Sequence, residues 1–149
     1  MDLKTTLIDE CKRHVNVRLQ NIQDTILSNQ KALQSETKSS AGDKHETGRA
    51  MLQLEIEKAG KQLLDVEQML LVLQKINSKL SSNKIGLGSV VETDEMNFFI
   101  SVSVGKLIIS NTTYFAISPV SPIGKIMLGK SVNQQIIFNG KTLNIRLVK

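Results

Sequence analysis

Tryptophan is absent from this 149-residue chain, tyrosine occurs once, and aromatic residues make up only 3% of it. A broad globular core normally draws on ring side chains for bulk, so their scarcity favours thin, elongated packing. Cys11 is the single cysteine, which excludes an internal disulfide. Proline occurs only at Pro119 and Pro122, so residues 1–118 are free of the strongest helix breaker. No apolar run approaches the roughly 18 residues of a membrane helix. The first ten residues carry acids and lack the apolar stretch of a secretory signal. The expected setting is therefore cytoplasmic, with no membrane partner. Apolar residues at 40% and charged residues at 22% exclude a wholly disordered chain.

The net charge of +5 is uneven, with 12 Lys/Arg against 11 Asp/Glu in residues 1–80 and 7 against 3 in residues 81–149. The first part is nearly neutral but densely charged, as a solvated coiled coil would be. The second part is basic and suits an acidic protein surface or nucleic acid, so contact with DNA or RNA stays open.

Two grammars divide the chain. Leu52, Ile56, Ala59, Leu63, Val66, Leu70, Leu73, Asn77 and Leu80 recur at alternating spacings of four and three, the heptad repeat of a coiled coil. A looser counterpart runs through Leu3, Leu7, Cys11, Val15, Arg18 or Leu19, Ile22, Ile26, Asn29 and Leu33. Between them lies a polar, small-residue stretch, SETKSSAGDKHET at residues 35–47, which suits a chain reversal. The pattern predicts an antiparallel helical hairpin over residues 1–82, with its tip near 36–47 and a length on the order of 50 Å. After residue 83 the period shortens. Strands are expected at 90–91, 98–104, 107–109, 114–117, 135–138 and 143–148, and Asn139–Gly140 between two apolar runs marks a β-hairpin. Residues 121–130, SPIGKIMLGK, read as a short helix capped by Ser121. The expected class is α+β: a coiled-coil hairpin, then a small antiparallel β domain with one short helix over residues 83–149.

Two segments resemble the Gre transcript-cleavage factors of bacterial RNA polymerase. Residues 118–130, SPVSPIGKIMLGK, are similar to that family's signature, in which a strand leads into Ser-Pro-Ile and a short helix closing on Gly-Lys; residues 135–148 then resemble its closing hairpin. Residues 42–46, GDKHE, are similar to the Gre hairpin tip, where Gly-Asp is followed three residues later by Glu. The resemblance spans the whole chain and implies an FKBP-like second domain. It also implies an accessory factor, not a free-standing enzyme: it binds RNA polymerase, inserts its tip into the secondary channel beside the nascent RNA, and stimulates cleavage of backtracked transcripts. The chain departs from the family in two places. Its second domain is shorter between Val90 and Ala116, and Glu46 is followed by Thr-Gly-Arg-Ala rather than an Asn-Ala-Glu-Tyr type of sequence. Some Gre relatives keep the shape and regulate polymerase without cleavage, so that alternative stands. A third alternative is a coiled-coil interaction protein; a monomer is expected, with a dimer open through the helix-2 seam.

The resemblance assigns roles to particular residues. Asp43 and Glu46 would supply carboxylates to a shared Mg²⁺ that the polymerase holds, promoting phosphodiester hydrolysis there. The same spacing at a helix start also fits a capping box, in which both acids serve the backbone. Ser121, Pro122, Ile123 and Lys125 would form the surface that docks on the rim of the channel; the plain alternative is an N-cap at Ser121 with Ile123 in the core. Lys44 and His45 lie between the two acids; His45 is able to position water or phosphate but reads first as exposed polar filler, and Arg49 reads as a surface cation able to touch RNA phosphate or a polymerase acid. Cys11 and His14, three apart on a helix, have the spacing of a metal pair, but Cys11 falls on the apolar seam and no second pair completes a site. Gly86-Leu87-Gly88 precedes a strand and reads as a turn. Prolyl isomerase chemistry is not expected, because the domain offers only Phe98, Phe99, Tyr114, Phe115 and Phe138 to line a pocket.

Overall fold

The computed structural model of the protein describes residues 2–38 and 43–149, with side chains described for 2–35 and 46–149. Two long helices come first, α1 (Leu3–Lys38) and α2 (Asp43–Lys75). A mixed sheet follows, with β1 (Val90–Thr93), β2 (Asn97–Ile100), β3 (Gly105–Ile109), β4 (Thr112–Ile117), β5 (Gln135–Phe138) and β6 (Lys141–Val148). One short helix, α3 (Pro122–Met127), lies between β4 and β5.

The helices bury the stripes that the heptads mark. Leu7, Cys11 and Val15 of α1 are fully buried, as are Ala59, Val66 and Leu73 of α2 to within a few per cent. At the position shared by Arg18 and Leu19, the leucine is half-buried and the arginine exposed. Asp2 caps α1, its carboxylate accepting from the Thr5 N–H at 2.7 Å. The expected seam runs past the true end of α2, because Asn77 and Leu80 lie beyond the helix, which stops at Lys75. Asn77 explains the stop. Its side-chain carbonyl accepts from the Lys79 N–H at 2.9 Å, and its backbone carbonyl accepts from the Leu80 N–H at 3.1 Å, so the chain turns there.

The sheet order is β3-β4-β2-β1-β6-β5. The expected antiparallel pairing holds at the β1–β2, β1–β6, β3–β4 and β5–β6 junctions, with one correction: β2 and β4 pair in parallel, Phe98 opposite Phe115 and Ile100 opposite Ile117. The chain leaves β2 for the edge and returns through the β3–β4 hairpin, which places β4 inside. Burial explains the choice. β4 offers Tyr114 and Ala116 to one face and Phe115 and Ile117 to the other, whereas β3 carries exposed Lys106 and Ile108 and tolerates the edge. The expected strand at 98–104 likewise ends at Ile100, where the chain begins this crossing. Asn139 and Gly140 both have positive φ, 50° and 77°, the geometry that a two-residue hairpin turn requires.

The chain forms two compact units, Met1–His14 with Leu70–Lys149, and Val15–Met69. In the first unit the sheet is buried on both faces. Val91, Phe98, Ile100, Leu143 and Ile145 join Ile85, Met127 and Ile136 in one core, with Phe115, Ile117 and Ile123 packed against it. Each such side chain contributes roughly 1.5–3 kcal/mol. Strand alternation turns Val90, Phe99, Leu107, Tyr114 and Ala116 to the opposite face, and these are buried too. The helix ends belong to this unit: Cys11 lies against Ser101, and the Lys4 ammonium donates to the Leu80 carbonyl at 2.7 Å. The second unit consists of the remaining hairpin, with Arg18 of α1 reaching Met69 of α2.

Candidate functional site

Two regions carry the expected site residues. The first is the start of α2. Asp43 is its first residue, which sets Asp43 and Glu46 three apart in the opening turn, where helical spacing brings i and i+3 to neighbouring positions. The Glu46 and Arg49 side chains are exposed. The side chains of Asp43, Lys44 and His45 lie outside the described residues, as does the part of the tip at 39–42. Two carboxylates of one turn fall short of a complete cation site. They do fit Mg²⁺, which accepts one or two protein carboxylates and takes its remaining ligands from water or a phosphate-bearing partner. Among the described residues no group of three or more His, Cys, Asp or Glu side chains converges.

The second region is the turn into α3. Ser121 has extended backbone and its hydroxyl is used twice, accepting from the Gly124 N–H at 3.1 Å and donating to the Ser118 carbonyl at 2.6 Å. Its own N–H also reaches the Ser118 carbonyl, at 3.1 Å, and its carbonyl accepts from the Lys125 N–H at 2.9 Å. Pro122 at the first helical position supplies a fixed φ and lacks only an N–H that would have no helical partner. Gly124 is required by close approach, since a Cβ there would overlap the Ser118 carbonyl oxygen. The loop is thus a closed, hydrogen-bonded corner. Ser121 spends its polar groups inside it, and Ile123 packs against the core. Pro122 and Lys125 face solvent.

Three exposed apolar residues beside this corner escaped the sequence reading: Val120 at 74% exposure, Ile126 at 38% and Leu128 at 42%. Pro122 and Ile126 are four apart and share one side of α3. Their spacing was legible, but in an apolar run this short the buried and the exposed members look alike, and only packing separates them.

The other candidates resolve into structure. Cys11 turns to Ser101, whereas the His14 ring meets the Arg13 guanidinium at 3.3 Å, so the two do not form a metal pair. Gly86 and Gly88 form the turn before β1, with the Gly86 N–H bonded to Ser89 Oγ at 3.0 Å and the Gly88 N–H to the Ile100 carbonyl at 2.7 Å. No described helix is long and apolar enough to cross a membrane.

No family model matches the chain, and no curated protein matches it. Among solved structures, that of the transcription factor Gfh1 aligns over 93% of this chain and 92% of that one, with 21% identity and a TM-score of 0.37.

Proposed function

We propose that the protein is an accessory factor of RNA polymerase that places the turn between α1 and α2 in the secondary channel and stimulates cleavage of backtracked RNA. The observation that carries this reading is the start of α2 at Asp43, which sets Asp43 and Glu46 in the first turn after the reversal between two helices of 36 and 33 residues. Acids at that point suit the positive end of the helix and are held at the free end of a hairpin. Glu46 is exposed and available to a partner. The two carboxylates would share an Mg²⁺ that the polymerase holds; the metal supplies an activated water and charge stabilisation. This chain's part is to bring two hard oxygen donors to the nascent RNA. It turns over nothing alone.

Docking falls to the corner at residues 118–128. Ser121 and Ile123 shape it from within, so Val120, Pro122, Lys125 and Ile126 are the side chains that meet the partner. An apolar patch with a lysine beside it suits a partner surface that is apolar with an acidic rim.

The test is transcript cleavage by halted, backtracked elongation complexes, with and without the protein, over a range of Mg²⁺. Stimulation by wild type that disappears in Asp43→Ala/Glu46→Ala, with polymerase binding intact, supports the reading. A double mutant as active as wild type removes the carboxylate role. A second reading, polymerase binding without cleavage, draws on Thr47-Gly48-Arg49-Ala50, which place a cation where the Gre pattern carries an acid. Competition with a cleavage factor in the absence of any stimulation would favour it. A protein that neither stimulates nor competes, and that sediments as a dimer, would point to a coiled-coil interaction protein.

A further inference from the structure

We infer that the hairpin is divided at the level of Asn29, Ala59 and Gly60 into a firmly packed inner part and an outer part that opens as a separate unit. Three observations meet at this level. First, Asn29 sits on the α1 seam, and its side-chain nitrogen is buried with no hydrogen-bond partner among the described residues. If the amide were turned over, an oxygen would occupy the same place, so a polar atom is buried there in either orientation. Second, counting along both seams from the contact of Arg18 with Met69 brings Asn29 level with Ala59, the smallest seam residue of α2, itself 3% exposed. Third, Gly60 follows at once and has nothing within 4 Å of the position where a Cβ would stand. One layer therefore combines an unsatisfied buried polar group, the least apolar side chain in the α2 seam, and the residue with the poorest helix propensity short of proline.

The two sides of this layer differ. Inward, the seam holds Val15, Leu19, Ile22 and Ile26 of α1 with Leu63 and Val66 of α2, and Val15 and Val66 are buried to 0% and 4% exposure. Outward, the described seam has only Leu33, Leu52 and Ile56, half-buried like the inward Leu19, Ile22, Ile26 and Leu63, and no described side chain there is fully buried as Val15 and Val66 are. A buried asparagine in a coiled coil holds register while lowering stability. Here its destabilising effect falls where the packing changes, so opening stops at this layer rather than fading gradually from the tip. Local opening of this kind proceeds in contiguous cooperative units set by apolar contacts. The inference stands independently of the polymerase reading. Residues 30–35 and 46–57 change their mutual geometry without disturbing the hairpin below.

Hydrogen exchange by mass spectrometry on the full chain tests it. Peptides over 30–38 and 46–57 are expected to exchange through a common, low-protection opening, with a step to higher protection in 15–26 and 62–69. Gly60→Ala adds a methyl group into open space and should raise outer protection about fourfold. Asn29→Leu should raise it on the order of tenfold or more. Both should leave the inner peptides little changed. A smooth gradient with no step at this level, one protection level throughout, or a step that neither variant moves would overturn the inference. If Asn29→Leu does not fold, Gly60→Ala decides the question alone.

Discussion

The Cys11 thiol lies 3.7 Å from the Ser101 hydroxyl, joining α1 to the residue that follows β2 although the two are 90 positions apart in sequence. Both residues are buried, Cys11 completely and Ser101 to 1% exposure. The pair packs the first part of α1 against the sheet inside one compact unit, Met1–His14 with Leu70–Lys149.

Burial pushes the Cys11 thiol up from its ordinary 9.0 to about 11, against a smaller opposing effect of the Ser101 hydrogen bond. The folded state therefore favours the neutral thiol. This contribution to stability is complete below about pH 9 and declines as pH rises towards 11. A thiol-reactive probe at pH 8 should modify the unfolded chain rapidly and the native chain only at the rate of global or sub-global opening. Cys11→Ala should lower stability by about 1–2 kcal/mol through loss of a packed side chain, as read by denaturant melts, and should reduce the high-pH loss of stability.

Asp94 links the turn after β1 to β6. Its carboxylate accepts from the Asn144 backbone N–H at 2.9 Å and from the Asn144 side-chain amide at 2.7 Å. These two bonds, the side-chain one foremost, hold the Asp94 carboxyl below its ordinary 3.8. The resulting stability is present above that value and is lost as pH falls below it. Asp94→Asn should lower the melting temperature at pH 7 and flatten its decline between pH 5 and 2. An unchanged acid limb in the variant would show that other carboxylates govern it.

Gly124→Ala should be among the most damaging small substitutions in the protein. The added methyl group meets backbone, the Ser118 carbonyl, rather than a side chain able to move aside. Unfolding by denaturant should show a loss of roughly 2–3 kcal/mol, the upper range for overpacking. Ser121→Ala, which leaves the Gly124 N–H without its cap, should cost about 1 kcal/mol.

On the proposed docking surface, Val120→Asp replaces a side chain that is 74% exposed and should change stability by less than about 0.5 kcal/mol, whereas Ile126→Asp, at a position 38% exposed, should cost about 1–2 kcal/mol. Both should weaken association with RNA polymerase at least tenfold in a direct binding assay. Full binding by both variants would move the docking surface elsewhere.

Much of the architecture was legible in the sequence because it depends on period. The 4-3 spacing of α2 and the Asn139–Gly140 pair each impose a local geometry that distant residues have little power to override. Sequence spacing likewise puts Asp43 and Glu46 on one turn, and it marks Ser121 and Pro122 as a helix start. The end of α2 at Lys75 was not legible, because Asn77 and Leu80 keep the heptad while the Asn77 side chain diverts the backbone. Neither was the parallel pairing of β2 with β4. Strand patterns report which faces are apolar, not which strand lies beside which, and the choice was made by β4 being apolar on both faces while β3 was not.

The sequence by itself determined the two helices, their seam and the β-rich second half, because periodicity and turn chemistry act within a few residues. Only the tertiary structure decided that Ser121 and Ile123 serve the interior of their corner while Val120 and Ile126 stand outside it, and that Cys11 meets Ser101 across 90 residues. Those outcomes depend on which surfaces remain uncovered after the whole unit has packed, and no local pattern encodes that.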